Sequence, residues 1–299
     1  MSGAALSFEQ LFDSEFLRAV RQLRWHAHRV APGGRYAEHK SSVRGQGMEF
    51  TDFRPYVAGD DLRAIDWNIY RRLDKLVVKV AEEQRSRPLY LLPDISRSMY
   101  VEEQPRAVIG LRIALALASV SLQQHDPVGL FPFAEQLHVL VKGKTGRTAV
   151  LQLGRLLAQL QPQQATRLPE AIARISGMNL RRGLLVVISD FFDASGLAAV
   201  EQALSRCRHR VLLIQLMRKS DATPALQGDV RVKDCESGEI TDVTVTAAVL
   251  ARYAQAYERF NAGLVDLASR RQIRLLRIDV ETELLAQLAP LFASTGPAT

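Results

Sequence analysis

Uninterrupted apolar runs of strand length occur at Leu89-Tyr90-Leu91-Leu92 and Leu184-Leu185-Val186-Val187-Ile188, and a further strand is predicted over 210–217. Runs of this kind predict strands buried on both faces, as in a parallel sheet covered by helices. Between them the apolar spacing changes to a helical one. Ile109, Ile113, Leu117 and Val120 place a buried helix over 105–124, and further helices are predicted over 148–160, after Pro169, over 197–207, and over 247–271 with Thr246 as its cap. Strands are also predicted at 76–82 and 273–278. Residues 128–131 and 137–141 read as strands joined by a 133–136 turn, and 230–234 and 240–245 as a hairpin around Glu236-Ser237-Gly238-Glu239. Alternating strand and helix predicts a doubly wound α/β domain with a mostly parallel sheet, here assigned to 86–280. It is preceded by a basic helical/β extension over 1–85 and followed by a C-terminal helix and loose tail over 281–299.

With 299 residues, 47% of them hydrophobic, the chain can bury a sizeable core. Cys207 and Cys235 lack metal-ligand spacing and are expected as reduced thiols. The longest apolar stretch, 107–122, contains Arg112 and is shorter than the roughly 20 residues a spanning helix needs, which predicts a core helix. No signal peptide is visible at the N-terminus, and the expected location is the cytoplasm.

The net charge of +7 is concentrated near the N-terminus, where Arg18, Arg21, Arg24 and Arg29 flank the apolar stripe Leu11, Phe12, Phe16, Val20 and Leu23. Such spacing turns the stripe inward and the arginines outward, as a surface for a protein partner. Nucleic acid is a less favoured partner, because no interleaved aromatic residues accompany the charges. Beyond it, 45–67 mixes Phe50, Phe53, Tyr56 and Trp67 with charges of both signs. Arg54, Asp60, Asp61, Arg63 and Asp66 are expected to form a structural ion-pair network, with Asp60 or Asp61 capping a short helix over 63–70.

The apolar run at 89–92 ends in Pro93-Asp94-Ile95-Ser96-Arg97-Ser98-Met99. A buried strand would deliver Asp94, Ser96 and Ser98 to the crevice at its carboxyl end. Three hard oxygen donors there suit magnesium, or another divalent ion such as manganese or calcium, better than zinc. Pro93 cannot donate a ladder hydrogen bond, so it either kinks the strand end or falls where no donor is needed. The second buried run likewise ends in an aspartate, Asp190. Lys142-Gly143-Lys144-Thr145 has a phosphate-loop look without the required glycine spacing, and a basic loop is expected there.

Gly47-Met48-Glu49-Phe50, Asp52-Phe53-Arg54-Pro55-Tyr56, Gly59-Asp60-Asp61, Arg63, Ile65-Asp66-Trp67, Lys79 and Asp94-x-Ser96-x-Ser98-Met99 resemble, in order, the bacterial domain of unknown function 58 family. Members of that family resemble von Willebrand factor type A domains. The resemblance implies a Rossmann-like sheet bearing a metal-ion-dependent adhesion site, often encoded beside a MoxR-type AAA+ ATPase. It implies that Ser96 and Ser98 bind the ion directly, and that Asp94, Thr166 and Asp190 bind directly or through water. One position is left for an Asp or Glu of a partner protein. Thr166 has a plainer reading as a helix cap. Because no general base or second metal site is evident, a binding module is expected rather than a magnesium-dependent hydrolase.

Overall fold

The computed structural model describes residues 7–20, 48–57, 62, 65–83, 87–102 and 104–292. Arg21, Arg24, Arg29, Asp60, Asp61 and Arg63 lie outside the described residues, as does the side chain of Arg54. The chain divides into two compact units, residues 33–86 and the remainder.

Helices α1 (Phe8–Leu11) and α2 (14–20) belong to the larger unit. Leu11, Phe12, Phe16 and Val20 are buried in its core, as their spacing predicts, and Arg18 is exposed. The anchor is polar as well: Arg112 donates to the Leu11 carbonyl at 2.8 Å and pairs with Asp13 at 2.6 Å.

The smaller unit pairs β1 (Met48–Pro55) with β2 (Val77–Glu83) in an antiparallel ribbon, with α3 (Trp67–Leu73) between them in sequence. Its helix starts four residues later than expected. Asp66, rather than Asp60 or Asp61, caps it, accepting from the backbone N–H of Asn68 (2.9 Å) and Ile69 (3.2 Å).

In the larger unit the strands are β3 (Leu89–Pro93), β4 (Val128–Leu130), β5 (Val141–Lys144), β6 (Leu184–Ser189), β7 (Arg210–Met217) and β10 (Arg274–Asp279). They form a six-stranded sheet in the order β10-β7-β6-β3-β4-β5, parallel except for the β4–β5 pair. Helices α4 (Arg106–Gln123), α5 (Ala149–Ala158), α6 (Leu168–Gly177), α7 (Gly196–Ser205), α8 (Lys219–Ala222), α9 (Ala247–Arg270) and α10 (Leu284–Phe292) connect or follow them. A separate hairpin, β8 (Gly228–Lys233) and β9 (Ile240–Val245), stands between α8 and α9 in sequence.

Two apolar clusters result from the period-two alternation of strand side chains. Leu89, Leu91, Val186, Ile188, Leu212 and Ile214 join the cluster with α4, α5 and α10, whereas Tyr90, Leu92, Leu185, Val187 and Leu213 join the one with α6, α7 and α9. Both faces are therefore covered, which is why β3 and β6 read as unbroken apolar runs. The 18-residue α4 is apolar enough to cross a membrane by composition, yet most of it is buried against the sheet.

One predicted strand is displaced. After β4 the chain stays bonded to the β3 side through Phe131 and Phe133, whose N–H groups donate to the Leu91 (2.8 Å) and Pro93 (3.0 Å) carbonyls, while the antiparallel edge strand on its other side forms at Val141–Lys144, the stretch expected as a basic loop. Pro132, between them, brings no N–H to that other side.

Candidate functional site

From β3 the chain proceeds to β4 on one side, and β6 later returns on the other side of β3. The switch in direction falls between β3 and β6, where an open α/β sheet has its crevice. Pro93 of β3 lies opposite Ile188 of β6, so Asp94 and Asp190 leave adjacent parallel strands at the same end.

Pro93 does not disturb this end. Leu89 N–H donates to the Pro127 carbonyl and Ile95 N–H to that of Phe133, both at 2.8 Å. The N–H groups of odd-numbered β3 residues thus face the β4 side, and the donor that Pro93 lacks would face Phe131, which is held in line by its own N–H donating to the Leu91 carbonyl at 2.8 Å. The Pro93 carbonyl still accepts from Phe133 N–H at 3.0 Å, and Asp94 N–H donates to the Ile188 carbonyl at 2.9 Å.

Asp94 is buried and doubly held, Oδ1 accepting from Ser96 N–H at 2.8 Å and Oδ2 from the Ser189 hydroxyl at 2.6 Å. The Ser96 and Ser98 hydroxyls lie 2.9 Å apart, with Ser96 fully buried at the start of a 3-10 turn over Arg97–Tyr100. The loop before α6 is brought alongside by Gln163 N–H, which donates to the Ile95 carbonyl at 2.9 Å. Thr166 stands in that loop, buried, and does not cap α6. Asp193, a residue without an expected role, does so by accepting from Leu168 N–H at 2.7 Å.

Asp190 follows β6, also buried, and accepts from Phe192 N–H at 3.0 Å. Between them Phe191 adopts a left-handed backbone (φ 64°), a conformation costly for an aromatic residue and held here by a fully buried ring and by the Ser189 hydroxyl, which accepts its N–H at 2.9 Å.

Burial raises the pKa of Asp94 above the usual carboxylate range, and burial followed by the Asp94 charge raises that of Asp190. A third carboxylate, Glu236 at the tip of the β8–β9 hairpin, repels both. It also grips Thr166, accepting its hydroxyl at 2.7 Å and its backbone N–H at 3.0 Å. Among the described residues the cation paired with Asp190 is Arg106, buried in α4 at 3.7 Å, and Arg106 is itself shared with Glu102 at 2.7 Å and with Asp221. Among the described residues the buried Tyr100 hydroxyl has no hydrogen-bond partner, and it lies in the field of Asp94.

Local sequence pattern does not reveal Glu236, Arg106 or Tyr100 as part of this site. Glu236 was visible only as the turn of a hairpin, and neither Arg106 nor Tyr100 belongs to a spaced motif.

All donors at this site are oxygens, with an excess of buried negative charge, and such a set fits a hard divalent cation. Among the described residues no three Asp, Glu, His or Cys side chains converge as a chelating group, so hydroxyls of Ser96, Ser98 and Thr166 would have to share in holding an ion.

A mostly parallel α/β sheet flanked by helices, with polar side chains gathered at its switch point, defines the class of protein. The chain belongs to the family described as protein of unknown function DUF58, whose profile matches residues 52–262. It is 25% identical over 287 residues to an uncharacterized protein of Mycobacterium bovis, a match covering 94% of this chain and 90% of that protein. An uncharacterized protein of Mycobacterium tuberculosis matches with the same figures. Among solved structures, an aerotolerance-related membrane protein from Bacteroides fragilis aligns with TM-score 0.39 and 17% identity, over 68% of this chain and 96% of that one. The conserved hypothetical protein BatB from Bacteroides thetaiotaomicron aligns with TM-score 0.40 and 16% identity, over 69% and 95%.

Proposed function

We propose that this chain is a non-catalytic protein-interaction module of the von Willebrand factor type A kind. Its site would hold a magnesium-type ion through Asp94, Ser96, Ser98, Thr166 and Asp190, and its partner would be a MoxR-type AAA+ ATPase that supplies an aspartate or glutamate. The observation that carries this reading is the pair of buried carboxylates, Asp94 and Asp190, at adjacent strand ends beside three hydroxyls and, among the described residues, one shared guanidinium. Two buried negative charges without full compensation are costly, and a divalent cation would offset both while leaving room for a further oxygen ligand.

The surroundings suit docking better than chemistry. Phe192, two residues after Asp190, stacks on Phe260 at 4.7 Å and lies 6.3 Å from Tyr257, with Tyr253 a further 6.5 Å on. Phe192 and Tyr253 are exposed, and exposed aromatics beside a charged position are the kind of anchor that protein interfaces use. The Ser96 and Ser98 hydroxyls face each other across 2.9 Å.

The test uses the purified MoxR-type ATPase of the same genome and the immobilised chain. Capture should occur in magnesium, disappear in chelator, and disappear for Asp94→Ala with the far-ultraviolet spectrum unchanged. Equal capture in chelator would contradict the metal-bridged reading.

A further inference from the structure

We propose that Glu236 is the chain's own occupant of the position reserved for a partner carboxylate. The β8–β9 hairpin would complete the site in cis and would have to swing away before another protein docks. This inference rests on the metal-site reading above. Its basis is the position of a carboxylate that the tip of an exposed hairpin brings to Thr166.

Hairpin β8–β9 stands apart from the six-stranded sheet and is largely exposed. At its tip the half-buried residues are Cys235 and Glu236, whereas Asp234 and Ser237 on either side are exposed. The tip is built to present a side chain. Asp234 Oδ1 accepts the N–H groups of Glu236 (2.7 Å) and Ser237 (3.3 Å), and Gly238 closes the turn in a left-handed conformation (φ 77°) that favours glycine. Glu236 then reaches Thr166 with both oxygens, at 2.7 and 3.0 Å. Thr166 is one of the hydroxyl residues assigned to the ion, so the contact is made at the site itself. Glu236 also lies close enough to Asp94 and Asp190 to repel both, and Asp190 acts likewise on Cys235.

Without an ion, Glu236 is held at Thr166 and repels Asp94 and Asp190 without converging on them. With one, Glu236 becomes a ligand of the same chemistry that a partner would bring. A single exposed hairpin is also light enough to leave: outside its tip it buries little, and opening it would break two hydrogen bonds to Thr166.

The experiment follows manganese binding to the chelator-stripped full chain by water-proton relaxation, for the parent, Glu236→Ala and Glu236→Gln, with Asp94→Ala as the site control. If Glu236 is a ligand, both Glu236 variants bind manganese about tenfold more weakly. They also show stronger water relaxation per bound ion, because water takes the vacated position. Acetate should reverse that gain in the variants and leave the parent unchanged. Parent-like affinity and relaxation in both variants, with binding lost in Asp94→Ala, would overturn this inference and leave the metal site standing. No manganese binding by the parent at millimolar concentration would overturn the metal site and this inference together.

Discussion

Ser189, the last residue of β6, donates its hydroxyl to Asp94 Oδ2 across 2.6 Å and accepts the N–H of Phe191 at 2.9 Å. One fully buried hydroxyl thus orients the carboxylate at the end of β3 and holds the strained residue after Asp190. Ser189→Ala should destabilise the protein by about 1.5–3 kcal/mol, the range for a hydrogen bond to a charged group. Urea denaturation at pH 8 measures it, and Ser189→Thr, which keeps the hydroxyl, should lose less.

Asp94→Asn is expected to separate stability from function. The buried carboxylate is costly in the metal-free protein because burial disfavours its charge. In chelator at pH 8 the variant should melt at a higher temperature than the parent, and magnesium should raise the melting temperature of the parent alone. A lower melting temperature in chelator would mean that the Ser189 and Ser96 hydrogen bonds outweigh the cost of burying the charge.

Asp126 carries a pH dependence remote from the site. Burial pushes its carboxyl up to about 6, against the lowering effect of the Arg87 N–H that donates to it at 2.6 Å. A raised folded-state pKa means that the folded protein holds the proton more tightly. The contribution of this group is therefore fully present below about pH 4, and it is lost as pH rises through about 6. The stability of Asp126→Asn relative to the parent should rise between pH 4 and pH 7 in urea titrations, and a difference independent of pH would contradict the assignment.

Gly183 precedes β6 at the point where it meets the start of β3. A Cβ there would stand 2.1 Å from the Pro88 carbonyl oxygen, which is backbone and itself accepts Leu184 N–H at 2.8 Å. Gly183→Ala should cost about 1–3 kcal/mol as the two strand starts are forced apart. Gly177→Ala, where nothing lies within 4 Å, is the matched control and should be close to neutral or mildly stabilising.

How much of this was legible beforehand depends on the range of the interaction. Strands β3 and β6 were readable because burial on both faces leaves an unbroken apolar run, and the aspartates that end them were visible for the same reason. Strand β1 was not recognised. Its phenylalanines, Phe50 and Phe53, are three residues apart and so break period two in the sequence, and the strand accommodates them with a register shift between Phe50 and Asp52. Edge strand β5 was missed because its exposed Val-Lys-Gly-Lys offers no apolar alternation. In the crevice, Asp94, Ser96 and Ser98 declared themselves by spacing. Thr166 could be placed only through the family resemblance. Glu236 reaches it across 70 residues from a hairpin whose local sequence encodes only a turn. Asp193 caps α6 from 25 residues away, equally invisible to a local reading.

Central to the account is a single divalent ion at the ends of β3 and β6, and isothermal titration of chelator-stripped protein with magnesium tests it most directly. The parent should bind close to one ion per chain, and Asp94→Asn should show no binding heat while keeping its fold. Absence of magnesium binding to the parent at millimolar concentration, or undiminished binding to Asp94→Asn, would contradict it.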